Sequence, residues 1–172
     1  MREKVKSKNR EGKVPNRFQA EAAYAGSIFR SAIGDIRGSV SELEQALRWD
    51  PSYAPAILTM GSIEYQRKKR ARGKRYFLSL LTLPDEPADI CTIIDKAGDF
   101  LIQMKAYGDG LDLYRAAGAK YPRVAVFHQG VGCCAGHQNL HDEAIAASRR
   151  ALELEPDNQK YVNDLGWCLL EA

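Results

Sequence analysis

Glycine stands at Gly98, Gly132 and Gly166, three positions spaced 34 residues apart. Allowing a three-residue insertion near Asp85 to Asp89, Gly61 and Ser27 continue the series toward the N-terminus. An interval of this size is one helix-turn-helix unit. The prolines keep the same time, since Pro122 and Pro156 are 34 apart and Pro51 lies two periods plus three residues before Pro122. Small residues recur in step in what should be the second helices, at Ser39, Gly73, Gly110 and Ala144. A glycine inside a helix costs about 1 kcal/mol against alanine, so a recurring one asks for a reason. Close approach of two helices supplies it, because axes come near only where side chains are small. On this spacing Gly132 faces Ala144 and Ala151.

Paired small residues in both helices, with a proline at the end of each unit, resemble the tetratricopeptide repeat family. The copies implied run over 20–53, 54–87, 91–124 and 125–158, followed by a lone first helix over 159–172. The large aromatic that the family carries early in each first helix is replaced here by Ala23, Ile57, Ile94, His128 and Val162. The resemblance implies an all-α, right-handed solenoid of about four helix pairs plus one helix, used as a scaffold for other proteins.

Hydrophobic residues at 45% suffice for a continuous core between stacked helices. No apolar run reaches the length of a membrane span and the N-terminus has no signal-peptide core, so a cytoplasmic protein is expected. Cys91, Cys133, Cys134 and Cys168 show no CxxC spacing and are expected as reduced, packed thiols. The net charge of +3 hides an asymmetry: residues 1–75 hold 17 Lys and Arg against 8 Asp and Glu, or +9, whereas 76–172 hold 8 against 14, or −6. Such polarity favours acidic partners at one end or head-to-tail self-association.

Residues 1–17 read as a basic, mobile arm. A denser patch follows at Arg67, Lys68, Lys69, Arg70, Arg72, Lys74 and Arg75, where seven of nine residues are basic. It occupies an inter-helix turn and the start of the next helix, where positive charge opposes the helix dipole. A bound anion would offset that cost, and a solvated turn would tolerate it. Ser39 followed by Glu42 suggests a helix start, Asp50-Pro51 a stop, and Pro55 the opening of the following helix.

In stacked repeats the first helices line the concave face. The register places Tyr24 and Ile28 there, then Leu58, Ser62 and Tyr65, then Lys96, Asp99 and Gln103, then Gln129, Cys133 and His137, and last Asn163 and Trp167. This mixture of aromatic, amide and charged groups suits a peptide or helix of a partner protein. Family members that clamp a C-terminal carboxylate use lysines and asparagines on this face. Of the corresponding positions here only Lys96 matches, so that ligand is not expected. Cys133 and His137, four residues apart, could hold two ligands of a metal, but two more would have to come from across a turn, and neither metal nor cofactor is expected. No phosphate loop or nucleophile elbow is present, and no enzyme is expected. Two other uses stay open: nucleic-acid or acidic-surface binding through the basic residues, and self-assembly through the terminal helices, since Trp167 and Leu170 do not give the last helix the polar face of a cap.

Overall fold

Each first helix that is followed by a second one ends on a residue in the left-handed conformation, and that residue sets the turn into its partner. Gly34, Lys68, Lys105 and Asn139 have φ of 82°, 63°, 54° and 59°. At each, the next amide reaches back across the turn: Asp35 N to Arg30 O at 2.9 Å, Lys69 N to Glu64 O at 3.0 Å, Ala106 N to Leu101 O at 2.8 Å, and Leu140 N to Ala135 O at 3.0 Å. This is the Schellman closure, which satisfies the last carbonyls and reverses the chain within a few residues.

A computed structural model describes residues 15–83 and 89–172. They form α1 (Arg17–Ala32), α2 (Ile36–Trp49), α3 (Ala54–Gln66), α4 (Arg70–Ser79) with a 3-10 turn at Leu80–Thr82, α5 (Ile90–Gln103), α6 (Tyr107–Lys120), α7 (Ala125–Gly136), α8 (His141–Leu154) and α9 (Gln159–Leu170). The fold is an all-α solenoid of helix pairs. Pro51, Pro122 and Pro156 each lie two residues beyond the end of a second helix, where proline cannot continue the hydrogen-bond ladder. The segment assigned the insertion, and with it the end of the second repeat, falls largely in 84–88, outside the described residues.

Two local starts differ from the sequence expectation. The cap of α2 is Asp35, whose Oδ1 accepts from Gly38 N at 2.8 Å, and Ser39 is a buried residue inside the helix. An aspartate placed directly after the left-handed Gly34 reaches the free amides first. Pro55 does open α3, as expected. The basic arm over 1–14 lies outside the described residues, yet Asn16 and Arg17 belong to the fold. Asn16 caps α1 by accepting from Gln19 N at 3.1 Å, its own amide donates to Trp49 O at 2.9 Å, and Arg17 Nε pairs with the buried Asp50 at 3.0 Å.

The chain divides into two compact units, Met1–Tyr76 and Phe77–Ala172. In the first, Ala20, Ala23, Leu43, Ala46, Ala56 and Met60 form the core of α1 to α3, and Gly73 of α4 lies against the Gly61 carbonyl and the Tyr65 Cβ. In the second, Tyr114 of α6 is the central side chain. Its ring lies where a Cβ on Gly98 of α5 or Gly130 of α7 would have to go. Its hydroxyl donates to Asp95 Oδ1 at 3.0 Å. Gly132 approaches α8 as the spacing implies, but it faces Ser148 and the Ala144 carbonyl, while Ala151 packs with Ala125 and Tyr161.

Candidate functional site

Within the second unit α5, α7 and α9 are neighbours in sequence order, so their equivalent residues form rows. Gln129, half-buried on α7, donates through Nε2 to Asp164 Oδ2 on α9 at 3.0 Å and accepts from Lys160 Nζ at 3.4 Å. This fixes the spacing of the two helices at one end of a cavity of about 270 Å³. Gln129, Cys133, His137, Asp164, Trp167 and Cys168 are among its walls, and Glu171 stands at its edge. His137 is stacked on Tyr107 with ring centres 4.0 Å apart, so one wall is a firm aromatic pair. Trp167 is 65% exposed and free to meet a ligand.

The two adjacent cysteines part company here. Cys133 looks into the cavity, where burial and then the neighbouring Asp164 carboxylate raise its thiol above the usual range. Cys134 turns into the core under Gly110, and burial pushes it up to about 12. Both thiols are protonated at neutral pH and poor as nucleophiles.

Of the groove residues expected from the sequence, Gln129, Cys133, His137 and Trp167 line this cavity. Lys96, Asp99, Gln103 and Asn163 are exposed on the same three first helices. In the first unit Ile28 is exposed and Tyr24, Leu58 and Ser62 are half-buried. Tyr24 is held edge-on to Tyr53 at 5.5 Å, and the Ser62 hydroxyl donates to Leu58 O at 3.0 Å. Tyr65 is not a groove wall. It is 7% exposed, beneath Gly73 and with the Arg70 guanidinium over its ring at 5.9 Å, because the missing glycine side chain lets α4 cover it. Asp164, Cys168, Glu171 and Ser148 also line the cavity, and none of the four is among the groove positions expected from the register. In the sequence, the 34-residue step from the groove position His137 reaches Glu171, while the step to Cys168 starts from Cys134, which packs in the core.

The basic patch has an internal counterion. Glu64 of α3 is 3% exposed, and Arg67, Lys69 and Arg72 converge on it at 3.9, 3.7 and 3.5 Å. Its Oε2 has no hydrogen-bond partner among the described residues, so the carboxylate is held by the surrounding cations. Among the described residues no helix is long and apolar enough to cross a membrane.

Helix pairs of this length, closed by the same turn and packed through small residues, define a tetratricopeptide-like fold. The comparison with solved structures agrees on the fold. MamA (residues 41 to end) from Desulfovibrio magneticus RS-1 is similar over 88% of this chain and 84% of its own, at 20% identity and a TM-score of 0.58. YrrB, described as a TPR protein with an unusual peptide-binding site, matches over 90% and 78%, at 17% identity and a TM-score of 0.55. PilF of Pseudomonas aeruginosa matches over 90% and 69%, at 16% identity and a TM-score of 0.58. No family model matches the sequence, and no curated protein does.

Proposed function

We propose that this protein is a non-catalytic scaffold that holds an extended or helical segment of a partner protein on the α7 and α9 face of its second unit. The cavity carries this reading, since four residues placed on that face by register alone line one hollow. Its rim sets the ligand chemistry. Asp164, Glu171 and Trp167 line the same cavity, a set that suits a lysine or arginine side chain through charge pairing and a cation–π contact. YrrB's described peptide-binding site makes a peptide ligand reasonable for the fold. Affinity for one segment should be micromolar, about −8 kcal/mol, because ordering a flexible ligand consumes much of the contact energy.

Fluorescence anisotropy with peptides differing only in one central residue tests this. Peptides carrying Lys or Arg should bind, those with Glu should not, and Trp167→Ala should weaken capture about tenfold, as loss of an aromatic anchor does. The melting temperature should hold, because Trp167 is mostly solvated. An affinity that ignores both the peptide charge and Trp167 would move the site elsewhere.

A second reading, binding of nucleic acid or another acidic surface, is supported by the +9 of residues 1–75. Glu64 already accounts for Arg67, Lys69 and Arg72 without an external anion. Affinity that falls by orders of magnitude between low and physiological salt would favour this reading, whereas groove capture through a single charge pair should fall far less.

A further inference from the structure

Gly166 differs in its neighbourhood from Gly98 and Gly132 of the same series. A Cβ on Gly98 would overlap Tyr114 of α6, and one on Gly132 would come within 2.5 Å of Ser148 Oγ of α8. The Gly61 carbonyl lies 2.8 Å from where a Gly73 Cβ would stand. Each of these first helices is therefore covered by its own second helix. Among the described residues nothing comes within 4 Å of a Cβ on Gly166. The positions around it tell the same story. Leu101 and Ala135, three residues after their glycines, are fully buried, while Leu169 at the same step is half exposed and Leu170 is 81% exposed. The surface that seats a helix in the preceding pairs is open on α9, with a small residue at its centre and leucines beside it.

An occupant must be a helix with small residues at the crossing point and apolar ones on either side. Among the described residues α1 has that surface. Phe18, Ala22, Ala25 and Phe29 follow at steps of four, three and four, which aligns them on one stripe. All four are exposed, Phe18 at 75% and Phe29 at 66%. Ala22 and Ala25 provide the close approach that Gly166 allows, and the two phenylalanines have the leucines of α9 as apolar partners. Charge agrees with shape. The unit that carries α1 has a net charge of +9 and the unit that carries α9 has −6, so unlike units attract and like units repel.

We propose that α9 of one molecule seats α1 of a second copy, so that the chain associates head to tail. The contact is heterologous, and each bound copy leaves one further face of each kind open. It uses a side of α9 other than the cavity wall and does not depend on the peptide reading.

Sedimentation velocity of the full chain across micromolar to millimolar concentration tests it. The wild-type mass should rise with concentration, and the rise should diminish as salt is raised. Gly166→Gln on α9 and Phe29→Gln on α1 should each weaken association at least about tenfold, the effect of losing a central contact. Gly166→Gln should not lower the melting temperature, since its side chain meets open space and glutamine is the better helix former. An equimolar mixture of the two variants should recover a dimer and no larger species, because one intact α1 and one intact α9 remain. A wild-type monomer at millimolar concentration, association unchanged by Gly166→Gln or by Phe29→Gln, or a mixture that stays monomeric would overturn the proposal.

Discussion

Tyr114 gives the glycines around it their purpose. The phenol fills the space a side chain at Gly98 or Gly130 would occupy, so α5, α6 and α7 close around one ring. Gly130→Ala should therefore cost about 1–3 kcal/mol in chemical denaturation despite the better helix propensity of alanine, because overpacking outweighs propensity at a site without slack. The hydroxyl's acceptor has its own signature. Burial holds the Asp95 carboxyl above the usual range, against the Tyr114 hydrogen bond that favours its ionised form. For an acid whose pKa is raised by folding, the folded state binds the proton more tightly than the unfolded chain does. The stability Asp95 contributes is thus full below the unfolded value and declines as pH rises through the folded one. Asp95→Asn keeps an acceptor and should remove that part of the pH dependence, seen as a flatter stability profile across the mildly acidic range. The spacing marks Gly98 and gives no sign of Tyr114. It could not join them, because the contact crosses from one helix to the next. Glu64 belongs to the same class. It reads as one charged residue on a mostly apolar helix, and only packing draws three cations of the following turn around it.

Helix limits were legible where local chemistry decides them. The prolines mark the ends of α2, α6 and α8, and Pro55 marks the start of α3. The turns after the first helices were less legible, since only Gly34 advertises a left-handed residue, while Lys68, Lys105 and Asn139 adopt the same conformation without glycine's freedom. Their common closure shows that the hairpin geometry overrides residue preference. A left-handed lysine carries a backbone cost of about 1–2 kcal/mol, part of which glycine gives back in unfolded-chain entropy. Lys105→Gly should consequently raise stability by about 1 kcal/mol, and Lys105→Val should lower it, both measurable as shifts in the thermal midpoint. The α2 cap shows the competing rule. Ser39 and Glu42 have the spacing of a capping box, but Asp35 meets the free amides one turn earlier and Ser39 is left to pack.

At the scale of the molecule, charge and exposed surface combine. Each unit has its own core, and the formal charges of the two are opposite. The apolar residues left in water at α1 and α9 are those with no helix over them among the described residues, which is why salt and concentration together report on association. The cavity in the second unit requires three helices and the Gln129 to Asp164 hydrogen bond, so neither its volume nor the part played by Asp164 and Cys168 could be read along the chain. The repeat interval, the helix-pair class, the boundaries at proline and the charge polarity were determined by the sequence alone. They depend on backbone chemistry and counting, which act over a few residues or recur at a fixed step. What each small residue faces, which tyrosine is covered, and which carboxylates are held inside were decided by tertiary packing. A rotation of a helix by part of a turn changes a side chain's neighbours without changing its place in the repeat.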